Sequence, residues 1–197
     1  MIKLKMSIED INEYQTGTLP ENAVKIETPR SIDEMMKKAA PIAVILCVLM
    51  FTTMLCKTIV NKTVVVSPIF IFVGFCIGFV LLVVHEWLHG IVYPKDASVT
   101  IGKVKGKITF VALASYPLKR SRFIVMSLLP FVLGIIPLLI FIVSSAECKE
   151  LNGLMFGMAS MGMISPFPDV YNVIVVWKNA NKKDAIMFYK DDMYKVS

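Results

Sequence analysis

The chain has 197 residues, of which 56% are hydrophobic, well above the roughly 45–50% apolar share of soluble domains, and this points to a membrane protein. Its net charge of +6 comes from basic residues scattered among apolar runs, not from a surface of interleaved basic and aromatic side chains, which argues against a nucleic-acid partner. The length suggests one domain, and no internal period marks a repeat array.

The first 38 residues are polar and charged, unlike the short basic and apolar start of a cleavable signal, so the first apolar run is expected to act as an uncleaved anchor. Within them, SIDE at 31–34 reads as a capping box, with Ser31 as N-cap and Glu34 reaching back. Ile32, Met35, Met36 and Ala39 then share one face, as in a short interfacial helix leading into the bilayer.

Four runs are long enough to cross a hydrocarbon core of about 30 Å: 40–60, 67–93, 123–144 and 151–177. Between the second and third, SVTIGKVKGKITFVAL places β-branched residues around Gly102 and Gly106, the pattern of a small hairpin. Such a hairpin is either a structural flap or an edge that pairs with an extended peptide.

Lysine and arginine are distributed unevenly around these runs. Six precede the first (Lys3, Lys5, Lys25, Arg30, Lys37, Lys38), seven lie at 94–122, and five follow from Lys178 onward, whereas the other connections hold only Lys62 and Lys149, with Lys57 close by. The positive-inside rule therefore puts both termini and the 94–122 connection in the cytoplasm of a multi-pass cell-membrane protein. The expected fold is all-α: a cytoplasmic segment at 1–39, four transmembrane helices with the cytoplasmic hairpin over 40–177, and a basic cytoplasmic tail at 178–197. Cys47, Cys56, Cys76 and Cys148 show no C-x-x-C spacing and are expected as free thiols.

The second run ends in VVHEWLHG, which contains both histidines of the chain. Positions i and i+4 share a helix face, so His85 and His89 can hold one Zn2+ through their imidazoles, and Glu86 can act as the base toward a zinc-bound water. The same string on a solvated helix would mean little. At the edge of an apolar run, ionisable groups are costly and mark function by default.

Hydrolytic zinc needs a third protein ligand and an open position. Glu147 and Glu150 are expected on the far side of the membrane, and of Asp96, Asp169, Asp184, Asp191 and Asp192 only Asp169 lies within an apolar run. Pro68 to His85 and Asn152 to Asp169 are both 17 steps, about 25 Å of helix, so the two groups are expected at one depth near the cytoplasmic face. Pro166 and Pro168 make that last run irregular just before the acid, as suits a segment lining a wet recess. Asn172, three residues on and on the same face, is a candidate substrate-binding or oxyanion donor, with core packing as the alternative. Trp87 and Trp177 read as interfacial anchors, and the small residues of GLMFGMASMGM as sites of close helix packing.

HEWLHG at the end of a span, a polar connection closing with YPLKRSRFIVMSLLP, and an aspartate in the last span resemble the bacterial family of putative zincin peptidases, itself similar to site-2 proteases. The likeness runs from about LPENAV onward. It implies zinc held by His85, His89 and Asp169, with Glu86 as general base, in a membrane-embedded metallopeptidase acting on membrane or membrane-proximal peptides. Site-2 proteases carry their aspartate in N-x-x-P-x-x-x-D-G, whereas SPFPDVY has neither that asparagine nor that glycine. The alternatives are a non-catalytic membrane module that binds metal or a partner, and a structural or transport protein without metal. Turnover separates the first from the enzyme, and the absence of paired broken helices weighs against transport.

Overall fold

A computed structural model describes residues 2–29, 31–106, 109–190 and 192–197; Arg30, Lys107 and Asp191, counted above among the charges, lie outside them. The chain divides into two compact units, one of Met1–Ala39, Glu86–Leu129 and Pro168–Ser197, the other of Ala40–His85 and Pro130–Phe167.

The first unit is built on two β-sheets, which corrects the all-α expectation. Strand β1 (Ile2–Ile8) pairs in parallel with β3 (Val99–Val104), which pairs antiparallel with β4 (Phe110–Ala114). The hairpin read at Gly102 and Gly106 is therefore present, inside a larger sheet of order β1-β3-β4. Gly106 turns it with φ +75, a conformation that side chains with a Cβ avoid. A Cβ on Gly102 would stand 2.6 Å from the Lys5 carbonyl oxygen, so this glycine lets β1 approach.

The second sheet has the order β2-β7-β6-β5, joining β2 (Ala23–Ile26), β5 (Leu118–Lys119), β6 (Ala185–Tyr189) and β7 (Asp192–Val196). The N-terminal segment, the 94–122 connection and the C-terminal tail thus fold together. Their core includes Ile26, Val99, Ile101, Leu118, Phe123, Val176, Ile186 and Met193.

The longest helix, α1 (Ile32–Asn61), begins where expected: Ser31 Oγ accepts the Glu34 backbone N–H at 3.2 Å, and the Glu34 carboxylate pairs with Lys38 at 2.8 Å. The short interfacial helix and the first span are one continuous element, with Pro41 inside it. The second run is α2 (Pro68–Val80) followed by α3 (Leu82–Val92), and the third is α4 (Arg120–Leu128), a 3-10 turn and α5 (Val132–Val143).

Among the described residues, three helices are long and apolar enough to cross a membrane: Ile32–Asn61, Pro68–Val92 and Arg120–Val143. The fourth expected span is instead two helices, α6 (Lys149–Ile164) and α7 (Phe167–Asn179). Pro166 has no N–H to continue the ladder, so the run breaks there, although Ser165 itself keeps αR geometry with φ −54 and ψ −33. Pro168 is accommodated in the first turn of α7, where an N–H would be unpaired anyway.

In the second unit α6 packs against α2 and α5 through glycines. Gly74 of α2 faces Gly157 of α6, and Gly134 of α5 faces Gly162. Small residues let helix backbones approach where lipid gives no hydrophobic drive. Lys57 of α1 donates to the Phe141 and Ser144 carbonyls and to Asn152 Oδ1, placing a cation on the C-terminal carbonyls of α5. A Cβ at Gly157 would overlap the Ile71 carbonyl and press on Phe75 N. Gly157→Ala is accordingly expected to destabilise the fold by about 1–3 kcal/mol, as overpacking does. A lowered thermal midpoint in detergent is the check.

The four cysteines are free, as expected.

Candidate metal centre

Helix α3 carries the HEWLH string, and His85 and His89 are one turn apart on it, 5% and 6% exposed. The boundary between the two units falls inside this helix, just after His85. The placement of His85 relative to His89 therefore follows from the helix itself. Pro94 ends the element, with Tyr93 N–H turning back to the Gly90 carbonyl.

His89 is fixed by a buried contact, Nδ1 to the Met126 carbonyl oxygen at 2.7 Å. A carbonyl only accepts, so Nδ1 carries the hydrogen, and Nε2, which lies toward Asp169, is the nitrogen that would ligate a metal, the usual arrangement for a ligating histidine. Asp169, in the first turn of α7, brings Oδ1 to 3.5 Å from His89 Nε2, and its side chain is 20% exposed. Two ligands at about 2.0–2.1 Å on a tetrahedral ion stand about 3.4 Å apart, so that separation fits a shared zinc. The ligand atoms of His85, His89 and Asp169 all lie within 4.8 Å of one another. Two imidazoles and a carboxylate are a donor set of the kind that would hold a catalytic zinc ion.

Glu86 follows His85 on the helix, is partly buried, and meets the backbone of Ala112 in β4. Strand β4 is an edge of its sheet, so its outer backbone groups are not used in the ladder. Asn172 lies on α7 one turn beyond Asp169, partly exposed and outside the three-residue ligand cluster. Trp177 has a protein partner: the Arg120 guanidinium lies 4.7 Å from its ring centroid and donates to its carbonyl. On the α2 side, His85 lines a small cavity with Gly78, Leu82, Met158 and Ser165.

Two contributors escaped the sequence. The Met126 carbonyl and the Ala112 backbone are main-chain groups, which any residue type supplies. The one available signal was the β-pattern of 99–114, which marks where an edge strand forms and not what it will face.

A family model described as "Putative zincin peptidase" matches residues 78–183, a stretch that includes α3, the β3–β4 hairpin and Asp169. No curated protein and no solved structure matches the chain.

Proposed function

The chain belongs to the family of putative zincin peptidases, and from that premise we propose that it is a membrane-embedded zinc metallopeptidase cleaving membrane or membrane-proximal peptides. The observation that carries the reading is the gathering of His85, His89 and Asp169 ligand atoms at the end of an apolar helix, with Glu86 beside them. In such a place ionisable groups are kept for function.

His85, His89 and Asp169 would hold the zinc. When bound there, the ion supplies a Lewis acid that polarises a carbonyl and acidifies water. Glu86 accepts a proton on its carboxylate and returns it to the leaving amine. The Met126 carbonyl holds the His89 ring in its tautomer, and the outer edge of β4, beyond the Ala112 group that Glu86 engages, would offer N–H and C=O groups to a peptide in extended form. An extended substrate suits the chemistry because a helix hides its carbonyls. Asn172 is proposed as a contact to the substrate carbonyl.

The membrane topology proposed has four crossings with both termini cytoplasmic. Two observations support it. The three basic segments fold in one unit, so they share one side, and each excursion from that unit, at 40–85 and 130–167, has to go out and come back. Each excursion then makes an even number of crossings, and the basic residues choose the cytoplasmic side.

The test is cleavage by the full chain reconstituted in phosphatidylethanolamine and phosphatidylglycerol vesicles, using a library of transmembrane peptides with mass-spectrometric detection. Cleavage is expected to stop on zinc chelation and to return with added zinc. Zinc retained without product from any peptide would overturn the enzymatic reading in favour of a binding module.

A further inference from the structure

Strand β1 presents apolar side chains that the protein leaves uncovered: Leu4 is 72% exposed and Met6 97%. Side chains alternate along a strand, and aligned partners in neighbouring strands share a face. In the β1–β3 register Ile2 aligns with Val99 and Leu4 with Ile101, so Leu4 lies on the face that carries Ile2, Val99 and Ile101. That face is seated on α3. A Cβ at Gly90 would meet Ile2 Cδ1 at 3.2 Å and Ile101 Cδ1 and Val99 Cγ1 at 3.5 Å. Leu4 therefore continues, past the edge of the sheet, the surface that packs on α3 one residue after His89. Met6, still more exposed, follows two residues on, at the register irregularity between Lys5 and Ile8. Lys3 and Lys5 alternate with these positions and face the other way.

What lies against this surface follows from where α3 is. It is the end of a helix long and apolar enough to cross a membrane, and its Trp87 and Ile91, one turn apart, are also exposed. A tryptophan at a span end marks the level of the lipid headgroups. A strand packed on that end with outward Leu4 and Met6 stands at the same level.

We infer that β1 is a membrane-inserting edge: Leu4 and Met6 enter the interfacial zone of a phospholipid bilayer, holding the β1-β3-β4 sheet, and with it the strand that faces Glu86, against the membrane surface. An apolar strand face with lysines on its reverse has the make-up of an interfacial element, with cations left in water. The inference rests on the bilayer crossing proposed above and not on peptide hydrolysis.

The experiment uses the full chain with Trp177→Phe in nanodiscs of palmitoyl-oleoyl phosphatidylcholine, with and without brominated acyl chains. Leaving Trp87 in place gives the reference for the span end. Leu4→Trp and Lys3→Trp are then each read in a Trp87→Phe, Trp177→Phe background. In the Leu4→Trp chain the indole is expected to be quenched by bromolipid to an extent comparable with Trp87, and its emission to be blue-shifted. In the Lys3→Trp chain quenching by aqueous acrylamide is expected instead. Trp87 quenched by bromolipid, but the Leu4→Trp indole open to acrylamide, would overturn the inference while leaving the membrane crossing intact. A Leu4→Trp indole shielded from both quenchers would also overturn it, since protein and not lipid would then cover the face. Trp87 without bromolipid quenching would remove the crossing itself. Should the tryptophan variants misfold, the unaltered chain gives a second reading. Met6 in nanodiscs is expected to react with aqueous chloramine-T no faster than the span methionines, and reaction at the rate of a free methionine peptide would count against insertion.

Discussion

Detergent-purified protein is expected to hold one zinc per chain, and His89→Ala and Asp169→Ala are each expected to lose it at stoichiometric metal. His89 Nε2 and Asp169 Oδ1 stand 3.5 Å apart, a separation that suits two ligands of one tetrahedral ion. Deleting one leaves two protein ligands, too few to compete with a mild chelator. Loss of an outer partner of a ligand costs about 10–100-fold in affinity, and loss of a ligand should exceed that. Elemental mass spectrometry on the purified variants reads the stoichiometry, and a thermal melt shows whether the fold survives. A folded Asp169→Ala that still binds one zinc would remove Asp169 from the ligand set. If zinc were absent from the unaltered chain after reconstitution with metal, the case for an enzyme would fall with it.

Parts of this arrangement were legible in the sequence because they are local. The helix bearing both histidines follows from its apolar residues and its stop at Pro94, and the capping bond from Ser31 follows from SIDE. The β3–β4 hairpin follows from its β-branched residues and Gly106. The two sheets were not legible, because their pairings join segments far apart in the chain. Strand β1 pairs with β3 and β2 with β7, and a short strand such as Ala23–Ile26 carries no periodic signal of its own. Polar terminal segments, seen alone, carry no mark of the strands they will pair with. They gain structure only from one another.

The last apolar run shows a different limit. Its composition suits one span, yet Pro166 divides it into α6 and α7, so the equal-depth estimate for His85 and Asp169, made for a continuous helix, does not describe the path the chain takes. The two side chains still come together. The break places Asp169 in the first turn of a new helix, next to His89. A proline pair that divides an apolar run into two helices thus supplies the freedom to aim its acid.

Glu86→Gln is expected to keep the zinc and lose hydrolysis by about 10²–10⁴-fold, the usual contribution of a positioned general base. The amide has the shape of the acid and keeps an oxygen able to accept a backbone N–H, so the contact with Ala112 in β4 can persist and the fold should not change. What the amide lacks is a basic oxygen able to take a proton from water. The expected signature is therefore a split between two measurements: metal content and melting behaviour like the unaltered chain, with cleavage of the same peptide nearly abolished. That split separates the proposed chemistry from its neighbours. A module that binds metal or a partner without cutting would show no change in its cellular effect on Glu86→Gln, because neither ligand nor surface is altered. A fold held together by the cluster would lose metal and stability together. Undiminished cleavage by Glu86→Gln would move the proton-accepting role to another group and leave Glu86 as a support for the β4 edge.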